Sequence, residues 1–270
     1  GTMALEYLRP AQIYVLLSYL LLWILIGILP IISFTHSKVK RAQMSFMHNK
    51  WLKDLHYEFL TYAKPVGLGV YGISVSCLDV DDLKGRDKDG NLIGNFGAKD
   101  LAAQLAYGLM TDTNLSIGAS LKLIKQKIES EKACALAFDI GLLYHEPLLK
   151  NLSFAFVIQN IGTKLKFIHK REDLPVIYRA GISYKMLDDR LILAADLTQP
   201  ADNDCRINLG TEYILTSNLA LRCGYTSKND LDNGFSFGAG FKFNILQLDY
   251  AYVPYGNLEN THRISVSFYF

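Results

Sequence analysis

The stretch "GFSFGAGFKFN", Gly234 to Asn244, alternates apolar and polar residues almost throughout. In an extended chain Phe235, Phe237, Ala239, Phe241 and Phe243 share one face. Ser236, Gly238, Gly240, Lys242 and Asn244 share the other. A helix would scatter both sets around its axis, so the stretch is a strand with one greasy side and one polar side.

The same split recurs on either side of it. "LQLDYAY" sets Leu246, Leu248, Tyr250 and Tyr252 against Gln247, Asp249 and Ala251, and "RINLGTEY" sets Ile207, Leu209 and Tyr213 against Arg206, Asn208, Gly210 and Glu212. From Met44 onward about fourteen such segments follow one another, separated by turn chemistry. No interval between them holds an amphipathic helix, so an antiparallel meander is expected rather than parallel βαβ units. The connections also sort into two kinds. "KPVG", "TDTN", "LDDR", "TSN" and "FNIL" are tight, with "HEPLLKN" somewhat longer, whereas Asp79–Lys99, Thr163–Pro175, Ser227–Asn233 and Tyr255–Thr261 are long and fall between them. Tight turns at one end and longer loops at the other are the build of transmembrane β-barrels.

Alternation leaves open which face is wet, since a soluble sandwich and a lipid-facing barrel both have one apolar face. Two features favour the barrel. The polar faces are rich in glycine and mixed charge, without the lysine excess of solvated edges. Tyrosines recur near the ends of the apolar faces, at Tyr144, Tyr184, Tyr213, Tyr225 and Tyr252, where interfacial girdles lie. The final segment, "RISVSFYF" (Arg263–Phe270), keeps its alternation to the last residue. It is expected to close against the first strand, because an open edge has no hydrogen-bond partners in lipid. The fold class is therefore all-β: a single antiparallel transmembrane barrel of about fourteen strands over residues 42–270. The rival reading is a soluble β domain tethered to a membrane.

The tether would be the segment 1–41. Ile13 to Phe34 carries no charged residue and is long enough to cross a bilayer as a helix. A cleaved leader would have a shorter apolar core with positive charge before it, whereas here Lys38, Lys40 and Arg41 come after. The segment is expected to lie outside the barrel, because so apolar a helix would strip water from a charged lumen without offering partners.

Composition narrows the function. Lys and Arg total 28 against 26 for Asp and Glu, a net charge of +2, and no basic field recommends nucleic acid as a partner. Cys77, Cys134, Cys205 and Cys223 have neither zinc spacing nor a compact disulfide pattern. Asp87, Asp89 and Gly90 fall short of a calcium loop, which needs a further ligand and a closing Glu. His262 near Ser265 has no recognisable acid partner or nucleophile elbow. No catalytic, metal or cofactor site is expected, and the chain reads as non-enzymatic.

The polar faces hold the candidate site. Parity sends Asp139, Arg179, Lys185, Asp196, Arg206, Glu212, Arg222, Lys242, Asp249 and Arg263 into the lumen. Two readings compete. The charges form a network of ion pairs that fills and stiffens the barrel, since unpaired buried charge is costly. Alternatively they line a polar path or bind a ligand's charged head. Satisfied pairs favour the first reading and unpaired arginines facing a cavity favour the second.

The segments "MSFMHNKWLKDLHYEFLTYA", "NIGTKLKF", "LPVIYRAGISYK" and "LDYAYVPYGNLENTHRISVSFYF" resemble the PorV/PorQ family of outer-membrane proteins, which is related to the FadL-type barrels. The resemblance covers most of the chain from Met44. It implies a fourteen-stranded barrel in the bacterial outer membrane, among membrane lipids, acting in secretion-linked docking or transport with secretion-system components as partners. FadL relatives import hydrophobic compounds, so uptake of a hydrophobic ligand is the alternative. The family's glycine-rich start with an Asn-Pro-Ala motif is absent, and the apolar run stands in its place.

Overall fold

A computed structural model describes residues 41–51, 55–86, 92–111, 114–128, 131–149, 151–167, 170–227, 234–255 and 258–270. The apolar run and the Asp87–Gly90 loop lie outside the described residues. The strands are β1 (Gln43–Trp51), β2 (Leu55–Val66), β3 (Gly69–Arg86), β4 (Leu92–Met110), β5 (Leu115–Ile128), β6 (Glu131–His145), β7 (Leu152–Gly162) and β8 (Leu165–Phe167). Then come β9 (Lys170–Glu172), β10 (Ile177–Met186), β11 (Leu191–Pro200), β12 (Arg206–Ile214), β13 (Leu219–Thr226), β14 (Phe235–Phe243), β15 (Leu246–Tyr255) and β16 (Leu258–Tyr269).

All but β8 and β9 form one closed antiparallel barrel of 14 strands, each paired with its neighbour in the chain and β1 with β16. The seam runs in register from Gln43↔Tyr269 to Lys50↔His262. Ser45 and Ser267 share a hydroxyl–hydroxyl bond of 2.8 Å across it, and the Phe270 amide donates to the Ala42 carbonyl at 2.9 Å. The last strand thus closes the wall, and no ladder is left facing lipid.

Every barrel strand puts a large apolar side chain on the exposed outer surface, from Phe46 and Leu60 through Leu105, Leu121, Phe154, Ile182 and Leu209 to Phe237 and Ile264. At the turn end this belt is edged by exposed Tyr71, Tyr107, Tyr144, Tyr184 and Tyr213, and at the loop end by Tyr178 and Tyr225. Tyr71 and Tyr107 lie ring to ring at 4.6 Å. An apolar belt between aromatic girdles is a surface made for a bilayer.

The expected long link from Asp79 to Lys99 is mostly strand: β3 runs to Arg86 and β4 starts at Leu92. Polarity inverts along this extension. Below it the inner face carries Ser74, Gln104, Ser120, Lys122 and Asp139, all buried. Above it the inner face is largely apolar, with Leu78, Val80, Ala98, Ala102, Ile124, Ala133, Ala135 and Ala137 in one buried cluster. The outer face there turns basic, with exposed Lys99, Lys125, Lys127 and Lys132. Strands that leave the bilayer meet water outside, so the greasy face moves inward.

The Thr163–Pro175 link, read from sequence as a loop, contains the β8–β9 hairpin. Leu165 at the start of β8 and Leu174 just after β9 are buried in the apolar cluster of the inner wall. The hairpin therefore folds against the loop-end mouth of the barrel rather than standing away from it.

Candidate functional site: the barrel interior

On the β3–β7 side the interior is a dry polar knot. Asp139 accepts from Lys122 Nζ at 2.8 Å, from Ser120 Oγ at 2.8 Å, from Gln104 Nε2 at 3.3 Å and from the Asn160 amide at 2.8 Å. Lys122 and Asp139 side chains are only 3% and 2% exposed, so this pair is out of reach of bulk water. Lys122 also donates to Asn160 Oδ1 at 2.5 Å, and Asn160 Nδ2 donates to the Pro175 carbonyl at 2.9 Å. Ser74 Oγ completes the chain by donating to Gln104 Oε1 at 3.3 Å. Each polar group is matched, as burial requires.

The local backbone makes the knot possible. Pairing of β6 with β7 slips between Phe138 and Ile140, and Asn160 sits at φ +64°, a left-handed conformation that Asn tolerates. That bulge turns both the amide and the side chain of Asn160 toward Asp139 and Lys122.

The β10–β16 side holds charges nearer to solvent. Asp196 accepts from Arg179 Nη2 at 3.3 Å, Thr198 Oγ1 at 3.0 Å and Asn208 Nδ2 at 2.8 Å. Arg222 donates from Nε to Glu212 at 2.5 Å and from Nη1 to Asp249 at 2.6 Å. Asp249 also takes Gln247 Nε2 at 2.9 Å, and Tyr269 Oη donates to Gln247 Oε1 at 3.0 Å. Lys242 Nζ lies 5.0 Å from the Tyr269 ring centre, a cation–π contact. Arg222 reaches Asp249 across β14 because glycine stands between them: a Cβ on Gly240 would lie 2.5 Å from the Asp249 carboxylate and 3.0 Å from the guanidinium.

Near the loop-end mouth a cavity of about 260 Å³ opens among Gln159, Arg179, Asp196, Thr198, Arg206 and Asn208. Arg206 is half-buried and makes no ion pair or side-chain hydrogen bond among the described residues. Lys185 and Arg263 are half-buried on the inward-facing parity of β10 and β16. No group of three or more His, Cys, Asp and Glu side chains able to hold a metal ion occurs among the described residues.

Neither a protein-family model nor a curated protein matches the chain. Solved structures do. The toluene transporter TodX of Pseudomonas putida superposes with TM-score 0.62 at 12% identity, over 88% of this chain and 93% of that one. The monoaromatic hydrocarbon channel CymD gives 0.61 at 14%, over 85% and 88%. A FadL homologue of Pseudomonas aeruginosa gives 0.57 at 11%, over 84% and 88%. The chain shares the fold of these three barrels. At such low identity the likeness reaches no further than the fold.

Of the ten charged residues singled out from sequence, the geometry gathers Arg179 with Asp196, and Arg222 with Glu212 and Asp249. Asp139 sits apart, with a partner that sequence reading did not select, Lys122. The signal for Lys122 was present in "LSIGASLKLIKQKI", where it follows Ser120 by two and shares its face. Asn160 carried no such signal, because its role depends on the bulge.

Proposed function

We propose that this chain is a non-enzymatic transport barrel of the bacterial outer membrane that passes a small, largely apolar solute. The observation that carries this reading is the mainly apolar inner wall at the loop-end mouth, Leu78, Ala98, Ala102, Ile124, Ala133 and Ala135, which is broken by the buried, hydrogen-bonded Asp100 and Gln126 and packs with Leu165 of the hairpin and Leu174 after it. A lumen that served only ions or sugars would have no use for an apolar wall there, since pores for polar solutes are lined with polar groups. TodX and CymD, with the same fold, are a toluene transporter and a monoaromatic hydrocarbon channel, which agrees with this reading.

The test is direct. The full chain is reconstituted in lipid vesicles, and entry of a radiolabelled monoaromatic hydrocarbon is compared with entry of a sugar of similar mass. Faster hydrocarbon entry than in protein-free vesicles, without faster sugar entry, is the expected result. No difference in either solute overturns the reading.

Secretion-linked docking, which the sequence resemblance implies, needs no passage through the barrel. The self-satisfied cluster of Glu212, Arg222 and Asp249 favours it, because it fills lumen space. Affinity purification from the native membrane separates the two: secretion components retained on the barrel support docking, and an apolar ligand released by solvent extraction supports uptake.

A further inference from the structure

The outer wall of β4, β5 and β6 carries a row of like charge. The register sets Lys99 opposite Lys127 and Lys127 opposite Lys132, all on the outward parity and all exposed. Lys125, one outward position nearer the turns, lies between Leu101 and Cys134. The next outward position down is the apolar belt itself, where Leu123 and Leu136 are exposed at 52% and 48%. Lys99 reaches Asp79 at 3.5 Å. Among the described residues no acidic side chain reaches Lys125, Lys127 or Lys132.

Neighbouring strands are about 4.8 Å apart, and like charges directly opposite each other across strands destabilise a sheet. A row built this way attracts anions, and among the described residues the chain supplies none to Lys125, Lys127 or Lys132. Its height decides their source. A partner at this level already has Leu101, Leu123 and Leu136 beneath it, so its apolar part lies in the bilayer and its anionic part at the rim. The loop end of such a barrel faces outward from the cell. On the far wall the loop-end outer residues Leu197, Ile207, Tyr225 and Phe235 are exposed and uncharged, and on β1 a single lysine, Lys50, stands at the loop end between His56 and His262, so the facing row of lysines belongs to β4–β6.

We infer that Lys125, Lys127 and Lys132 form a binding surface for the phosphate groups of the outer leaflet's phosphorylated glycolipid. This rests on the outer-membrane reading above. Lysine suits the task as a mobile point charge that meets phosphate without a fixed geometry. The glycolipid would seat the barrel at one height and in one rotational setting, with the β4–β6 wall held at the headgroups.

The experiment uses the full chain in detergent micelles and reads bound lipid by native mass spectrometry. The probes are bisphosphorylated lipid A and the same lipid with both phosphates removed. The wild type and K125R/K127R/K132R are expected to retain the phosphorylated probe, while K125Q/K127Q/K132Q loses about tenfold or more in occupancy. The dephosphorylated probe should bind all three weakly and alike. Equal retention by the glutamine variant overturns the inference, and so does equal loss in the arginine and glutamine variants. Location is read separately by density-gradient fractionation of membranes: a chain found outside the outer membrane undoes the reading on which the inference rests, whatever the lipid measurement gives.

Discussion

The side-chain amide of Asn160 donates to the carbonyl of Pro175 at 2.9 Å, so the residue where β7 bulges holds the point where the chain returns from the hairpin. The excursion through β8 and β9 is closed at its base like a loop with a clasp. Asn160 contributes at once a left-handed backbone, an acceptor for Lys122 and a donor for Pro175. Asn160→Gly keeps the backbone conformation and removes the two side-chain bonds, whereas Asn160→Ala removes the bonds and strains the backbone as well. Both variants should lose amide protection across 163–175 in hydrogen exchange, the alanine variant more. Unchanged protection in both would show that the hairpin is held by Leu165 and Leu174 alone.

The buried pair beside it predicts an asymmetry. Lys122→Met leaves the Asp139 carboxylate with Ser120, Gln104 and the Asn160 amide. Asp139→Ala leaves the Lys122 ammonium with only the Asn160 oxygen. Breaking a buried pair costs about 3–5 kcal/mol when the remaining charge is stranded. The aspartate variant should therefore approach that loss in urea unfolding from micelles, and the lysine variant should lose clearly less. The reverse order would show that the carboxylate, not the ammonium, depends on its partner.

These two sites mark what the sequence made legible and what it did not. Period-two alternation exposes the strands and their faces because the side-chain period of a strand is fixed, and Phe235–Phe243 behaves as its pattern says. Tight turns carry the register forward, which is why Glu212 and Arg222 could be placed on neighbouring strands and fall directly opposite each other. Three features escaped. The length of β3 and β4 was hidden because their greasy face moves from outside to inside where they leave the bilayer, and the polar "LDVDDLKGRDKDG" then reads as loop. The Asn160 knot depends on a one-residue slip in pairing, which no local pattern encodes. The contact from Arg222 to Asp249 spans an intervening strand and needs Gly240, a residue whose meaning is the space it leaves.

That space is testable. Gly240→Ala puts a methyl group into the line between Arg222 and Asp249. Both obstructing groups are side-chain ends, so the barrel should still close while the guanidinium moves off the carboxylate. The expected loss is about 1–2 kcal/mol, the cost of a part-exposed charged hydrogen bond. Asp249→Asn in the alanine background should then add little, since the pair is already broken, whereas in the wild type it costs the full amount. Additive effects would show that Gly240 and Asp249 act independently.

Closure of the wall can be read covalently. Ser45 and Ser267 face each other in register at the β1–β16 seam, with hydroxyl oxygens 2.8 Å apart. A Ser45→Cys, Ser267→Cys chain should form a disulfide on mild oxidation in micelles, because directly opposed residues in an antiparallel pair lie within disulfide reach. After boiling, the oxidised chain should migrate faster than the reduced one. It should also resist thermal opening, because the crosslink joins the first and last strands. Combining Ser45→Cys with Val266→Cys, one step along the strand, should give no crosslink, since that side chain points to the opposite face. A crosslink from Val266→Cys and none from Ser267→Cys would place the seam one residue out of register.

Two arginines of the same wall should behave in opposite ways. Arg222 holds Glu212 and Asp249 apart, and Arg222→Gln leaves two carboxylates facing each other across β13 and β14. That variant should unfold at lower urea. Arg206 lines the cavity and has no ion partner among the described residues, so Arg206→Gln removes a charge without stranding another. Its stability should stay within about 0.5 kcal/mol of the wild type, the usual range for substitutions away from such features. Conductance in planar bilayers should separate them the other way. Removing Arg206 from the mouth should lower the preference for anions, because a charged group lining a pore selects for its opposite, while removing the paired Arg222 should change selectivity less. If Arg206→Gln destabilises the barrel as much as Arg222→Gln and leaves selectivity untouched, Arg206 belongs to the packing of the wall and the cavity beside it is not on the path of any charged solute.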